Sequence, residues 1–164
     1  LFGDNTEFNY LIPPKALEVF KDAIKMANEG NCDNAFTILN SIEQDGVWKS
    51  LIEAYLWQKK GEIKKAESKY KLLIDKGSAP AMYGLANLYR QLNRTEDAEQ
   101  YYLKAIEKGH VDALYNLANL YFDLHRTEQA EQYYLKAIEK GHVKALFNLA
   151  ILYKKLSRTE EAEQ

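Results

Sequence analysis

The chain is predicted to be an all-α solenoid of antiparallel helix pairs, and three observations lead there. A stretch of 32 residues recurs along it, each copy carries apolar residues at helical spacing, and turn residues divide every copy in two. Residues 81–112 and 113–144 agree at 25 of 32 positions, and residues 145–164 agree with 113–132 at 14 of 20. A fixed period in the range of about 20 to 50 residues marks units that bury their apolar faces only by stacking on their neighbours.

The first helix of a unit is read from two adjacent stripes, Ala81, Leu85, Leu88 and Leu92 beside Met82, Ala86 and Tyr89, which predict burial on two sides. Asn93, His125 and Ser157 fall at the turn, where Gly30 and Gly61 stand in the weaker upstream copies. These positions suit a helix that ends in a left-handed residue. Thr95, Thr127 and Thr159 are expected to cap the second helix, with Glu96, Glu128 and Glu160 at the positive end of its dipole. That helix carries Ala98, Tyr102, Ala105 and Ile106 on one face and Glu99, Gln100, Lys104 and Glu107 on the other, so one side is buried and one is wet. Lys108-Gly109 and Lys140-Gly141 close it with a cation and a residue free to turn left-handed.

Upstream, residues 47–78 keep Ala66, Tyr70 and Gly77 in register, and residues 14–46 keep Gly30 and Ala35. The expected organisation is an arm over 1–13, two degenerate hairpins over 14–78, and closely matched units over 79–110, 111–142 and a truncated 143–164, all in one continuous solenoid. Pro13-Pro14 opens the first helix. The first residue is not Met, and the last seven residues match the opening of a longer segment. The chain therefore reads as a fragment of a larger protein.

Leu114, Leu117, Ala118, Tyr121, Ala130, Tyr134 and Ala137 stand at the spacings of the tetratricopeptide signature, and residues 79–164 resemble that family closely. The connector Glu107-Lys108-Gly109-His110-Val111-Asp112-Ala113 looks like the shorter link of Sel-like repeats. His110 and His142 occupy positions where tetratricopeptide repeats usually have Pro. The resemblance implies a right-handed superhelix whose first helices line a concave groove that holds a peptide or protein. It also implies that the two-carboxylate clamp of chaperone-tail binders is absent, since Tyr115, Asn116, Phe147 and Asn148 replace its cations.

Differences between copies point to where a partner would sit. In the first helix they fall at Asn87/Asn119/Ile151, Arg90/Phe122/Lys154 and Gln91/Asp123/Lys155, with Gly84/Asn116/Asn148 on the same face and the aromatic column Tyr83, Tyr115 and Phe147 beside it. The second helix hardly varies. Aromatic side chains of this kind bury roughly 150 to 250 Å² each, the Asn amides suit a peptide backbone, and Arg90, Lys154 and Lys155 suit carboxylates. The bland account of the same positions is drift on a solvated surface.

The remaining signals exclude more than they assign. With 22 basic and 24 acidic residues and a formal charge of −2, the chain lacks a general attraction for nucleic acid or anionic membrane. No apolar run approaches the roughly 20 residues needed to span a bilayer, and a soluble, cytoplasmic chain is expected. No phosphate loop, zinc motif or nucleophile elbow occurs, so neither catalysis nor a cofactor or metal is expected. His110 and His142 lie one repeat apart, roughly 10 Å by helix packing, too far to share a zinc ion at about 2 Å from each. Cys32 reads as an inert structural thiol. Lys59, Lys60, Lys64, Lys65, Lys69 and Lys71 crowd one hairpin, interrupted by Glu62, Glu67 and Asp75, and read as a solvated helix face.

The functional expectation is a protein-interaction module, with self-association through the truncated last repeat as a further expectation. The alternative is a structural or sensor segment of a multidomain signalling or defence ATPase whose activity lies elsewhere.

Overall fold

Seven of the described helices stop where a residue turns left-handed. In the computed structural model, which describes residues 14–43 and 46–162, positive φ occurs at Gly30, Gly61, Asn93 and His125 within hairpins and at Gly77, Gly109 and Gly141 between them. Among the described residues there are nine helices and no strand: α1 (Pro14–Asn28), α2 (Cys32–Asn40), α3 (Val47–Lys59), α4 (Ile63–Asp75), α5 (Ala79–Gln91), α6 (Thr95–Glu107), α7 (Val111–Asp123), α8 (Thr127–Glu139) and α9 (Val143–Ala162), and α2 ends instead on Ser41 in right-handed geometry. The chain is an all-α solenoid of antiparallel helix pairs. The arm expected over residues 1–13 lies outside the described residues.

The turn between α7 and α8 shows how little chain a reversal needs. The His125 N–H bonds the Phe122 carbonyl at 3.1 Å, and the Arg126 N–H bonds the Tyr121 carbonyl at 2.8 Å. This is the pair of bonds that closes a helix on a left-handed residue. Arg126 then serves as the residue that caps α8, so one helix ends and the next begins across a single left-handed position. Asn93 and Arg94 repeat the arrangement, with the Arg94 N–H on the Tyr89 carbonyl at 2.9 Å.

Two expectations change here. Thr95 and Thr127 do not cap: Arg94 and Arg126 hold that position without a side-chain bond. The threonines are already inside the first turn, where their hydroxyls donate to Glu96 and Glu128 at 3.2 Å. The turn expected at Ser157 is absent as well, because α9 runs unbroken from Val143 to Ala162. Serine has neither the freedom of glycine nor the tolerance of asparagine for the left-handed region. Its hydroxyl instead donates back to the Tyr153 carbonyl at 3.1 Å, a bond that a continuing helix supplies.

The chain divides into two compact units, one through Leu88 and the other from Tyr89, the division falling inside α5. In the first unit α1 packs on α2 and α3, and α3 packs on α4. Phe20, Ala23, Ala27, Cys32, Ala35, Leu39, Ile52 and Leu56 form one buried cluster there. The Cys32 thiol is buried among them. At the other end of this unit Gly84 faces the Tyr70 ring, and a β-carbon on Gly84 would stand 2.5 Å from Tyr70 Cε1. The Tyr70 hydroxyl donates to Gln58 Oε1 at 3.1 Å.

In the second unit α6 packs on α7, α7 on α8, and α8 on α9. Ala98, Ala105, Ala113, Ala118, Ala130 and Ala137 are fully buried, and alanine at these positions lets the helix backbones approach closely. Tyr102, Tyr121 and Tyr134 fill the space between them. Leu92 and Leu124, which close the first helices, stay exposed, so the apolar stripe ends one turn sooner than its spacing predicts.

A candidate recognition face on the first helices

The joint between successive hairpins is polar and specific. Glu99 on α6 accepts the Tyr121 hydroxyl at 2.8 Å and a two-pronged bond from Arg126, at 2.8 and 3.3 Å. The Arg126 guanidinium also lies 4.4 Å from the centre of the Tyr121 ring, and burial together with the Glu99 bond lifts the Tyr121 phenol well above its usual range. One period later the Tyr153 hydroxyl donates to Glu131 at 2.6 Å. Sequence reasoning assigned Glu99 to the wet face and missed this joint. The recurrence of Tyr121, Glu99 and Arg126 at 32-residue spacing, as Tyr89, Arg94, Glu131, Tyr153 and Arg158, was the available signal.

Side chains of α7 and α9 meet directly and bring much of the expected contact stripe together. Tyr115 on α7 stacks on the His142 ring, with centroids 4.4 Å apart and 20° between planes. Asn148 on α9 donates both amide hydrogens inward, to the Tyr115 hydroxyl at 3.0 Å and to Asn119 Oδ1 at 2.8 Å. Asn119 Oδ1 takes a second bond from the Tyr134 hydroxyl at 2.7 Å. Burial holds the Tyr134 phenol up at about 12. A four-residue network therefore ties α7, α8 and α9, and the groups of Asn119 and Asn148 that remain to meet a ligand are the Asn119 amide and the Asn148 carbonyl.

The charged members also find each other. Arg90, in the last turn of α5, donates to Asp123 at the end of α7 at 2.6 Å, and the Lys155 ammonium lies 5.0 Å from the centre of the Phe122 ring. Asn116 is half-buried, and Gln91 is exposed. Tyr83 and Asn87 belong to the first unit, where both are half-buried.

The open end of the stripe is on α9. Phe147 is 70% exposed and Ile151 42%, and Lys154 and Lys155 are exposed beside them. Spacing of four, seven and eight residues from Phe147 puts all four on one helical face. Tyr115, the equivalent of Phe147 one period earlier, is shielded by His142. His142 itself stands 3.6 Å from Asp112, a position that serves packing between repeats. Among the described residues no group of three His, Cys, Asp or Glu could hold a metal ion, and no helix is long and apolar enough to cross a membrane.

The family model described as tetratricopeptide repeat matches residues 53–113, 83–141 and 115–164, more than half of the chain. The chain belongs to the tetratricopeptide repeat family. Tetratricopeptide structures with the same fold include PilF of Pseudomonas aeruginosa, 19% identical, with a TM-score of 0.67 over 91% of this chain and 72% of that one. BtubC of P. vanneervenii is 20% identical, with a TM-score of 0.65 over 86% of this chain and 72% of that one. MamA is 22% identical, with a TM-score of 0.62 over 85% and 87%. No curated protein matches the sequence significantly. Tetratricopeptide repeats are in general protein-interaction modules, and the family's members are in general scaffolds without catalysis.

Proposed function

We propose that the second unit binds a protein or peptide segment along the stripe formed by Tyr115, Asn116, Asn119, Phe122 and Asp123 on α7 and Phe147, Asn148, Ile151, Lys154 and Lys155 on α9. The observation that carries this reading is the variation between copies on one face of the first helices, at Asn87/Asn119/Ile151, Arg90/Phe122/Lys154 and Gln91/Asp123/Lys155, beside a second helix that hardly varies. Aromatic side chains on that face are the kind of anchor that supplies most of an interface's binding energy. The lysines add a preference for a partner with carboxylates near its apolar anchor. The inner network of Tyr115, Asn119, Asn148 and Tyr134 supports the same reading indirectly, because it fixes the α7 and α9 backbones and reduces the ordering cost of binding.

The test is site-specific photocrosslinking. Benzoylphenylalanine at Phe147 or Lys154 should trap one defined protein from the native cell, and the same group at Gln132 on α8 should not. Equal trapping from both faces, or trapping only from α8, overturns the assignment.

A further inference from the structure

The α3–α4 hairpin carries a second surface that owes nothing to the stripe on α7 and α9. Lys64, Lys65, Ser68, Lys69 and Leu72 follow one face of α4, and with Trp57 of α3 they line an open depression of about 460 Å³. Its floor is apolar. Phe36 of α2 holds the Trp57 ring, with centroids 4.4 Å apart and tilted by 46°, and Leu72 is 54% exposed at the far end. Its rim is cationic: the Lys65 ammonium lies 4.4 Å over the Trp57 ring, and Lys64 has no carboxylate partner among the described residues.

The charge of this surface opposes that of the whole chain. Lys64, Lys65 and Lys69 line it against Glu53 and Glu62 at its rim, a local excess of cation within a sequence of net charge −2. A solvated face needs no exposed leucine beside a tryptophan, and an apolar core contact needs no lysines around it. We infer that this depression docks an acidic peptide segment that places one leucine or aromatic side chain between glutamates or aspartates. The apolar side chain covers Trp57 and Leu72, and the flanking carboxylates meet Lys64 and Lys65.

The local anions favour peptide over nucleic acid. Glu53 holds Lys69 at 2.6 Å and Glu62 stands 3.4 Å from Lys65, so two carboxylates already lie at the rim. With Lys65 and Lys69 so paired, the rim lacks the long run of cations that neutralises the successive charges of a phosphate backbone. Discrete carboxylates can be satisfied by one lysine at a time.

The probe is a short fluorescein-labelled peptide of glutamates with one central leucine, titrated into the full chain and followed by anisotropy. Binding should weaken about tenfold or more with Lys64→Glu plus Lys65→Glu, the loss of one or two charge-assisted contacts. Leu72→Asp should weaken it comparably, and raised salt should weaken it in the unaltered chain. All three positions are exposed, and circular dichroism checks that the helices persist. Lys154→Glu plus Lys155→Glu should leave this binding unchanged, which separates it from recognition by α9. Four results each overturn the inference: no binding of the peptide, equal binding of a glutamine version, insensitivity to the α4 substitutions, or capture of oligouridylate through the same lysines in preference to the peptide.

Discussion

The Tyr134 hydroxyl donates to the Asn119 carboxamide oxygen at 2.7 Å, although Tyr134 belongs to the constant second helix and Asn119 to the variable first one. Asn119→Leu would remove the acceptor for that hydroxyl and for the Asn148 amide together. Leaving buried donors unmet costs about 1–3 kcal/mol. Thermal denaturation followed by circular dichroism should show a clearly lowered midpoint, and an unchanged one would show that water replaces the asparagine at no cost.

The same tyrosine predicts alkaline instability. Its folded pKa is about 12, above the value near 10 of an unfolded tyrosine. The unfolded state thus loses its proton first as pH rises. The stability that comes from keeping Tyr134 neutral is complete below about pH 10 and is lost as pH climbs towards 12, by at most about 1.4 kcal/mol per unit. Urea unfolding at pH 9 and pH 11.5 should show this loss, and Tyr134→Phe should reduce it. An equal loss in the variant would assign the effect to other groups.

Gly84→Ala should destabilise the first unit by about 1–3 kcal/mol, the usual cost of overpacking, since the new carbon would stand 2.5 Å from the Tyr70 ring. In a Tyr70→Leu background the same change should cost far less. Additive effects in that double-mutant cycle would place the strain elsewhere.

Gly109 has φ +83 and open space around its α-carbon, so backbone conformation alone decides what it tolerates. Gly109→Val should cost about 1 kcal/mol or more, and Gly109→Asn should cost less, because asparagine accepts left-handed geometry. Equal melting temperatures for both variants would contradict this.

The period, the two apolar stripes and the left-handed turns were legible because packing repeats them at every copy. Ala118, Ala130, Tyr121 and Tyr134 are buried as their spacing demands. Residues whose role depends on a neighbouring copy were harder to read. Asn119 and Asn148 look like free amides on a variable face, yet their bonds reach across three helices. Gly84 looks like one more variant of Asn116 and Asn148, yet a β-carbon there would run into the Tyr70 ring. Ser157 occupies a turn position by alignment, and the turn fails because serine tolerates the left-handed region less well than glycine or asparagine. The depression beside Trp57 was invisible for a related reason: a lysine-rich helix reads as solvated until a leucine and a ring are found between the cations.

Arg126 closes the turn after α7, and its guanidinium reaches back to Glu99 of the preceding hairpin. The clasp is one-directional: the later hairpin supplies the cation, and the earlier one the anion and none of the reach. Trimming the chain from its carboxyl side would therefore strand an acidic group on whatever hairpin is left last. Disassembly of the second unit should thus be vectorial, each lost hairpin loosening the one before it.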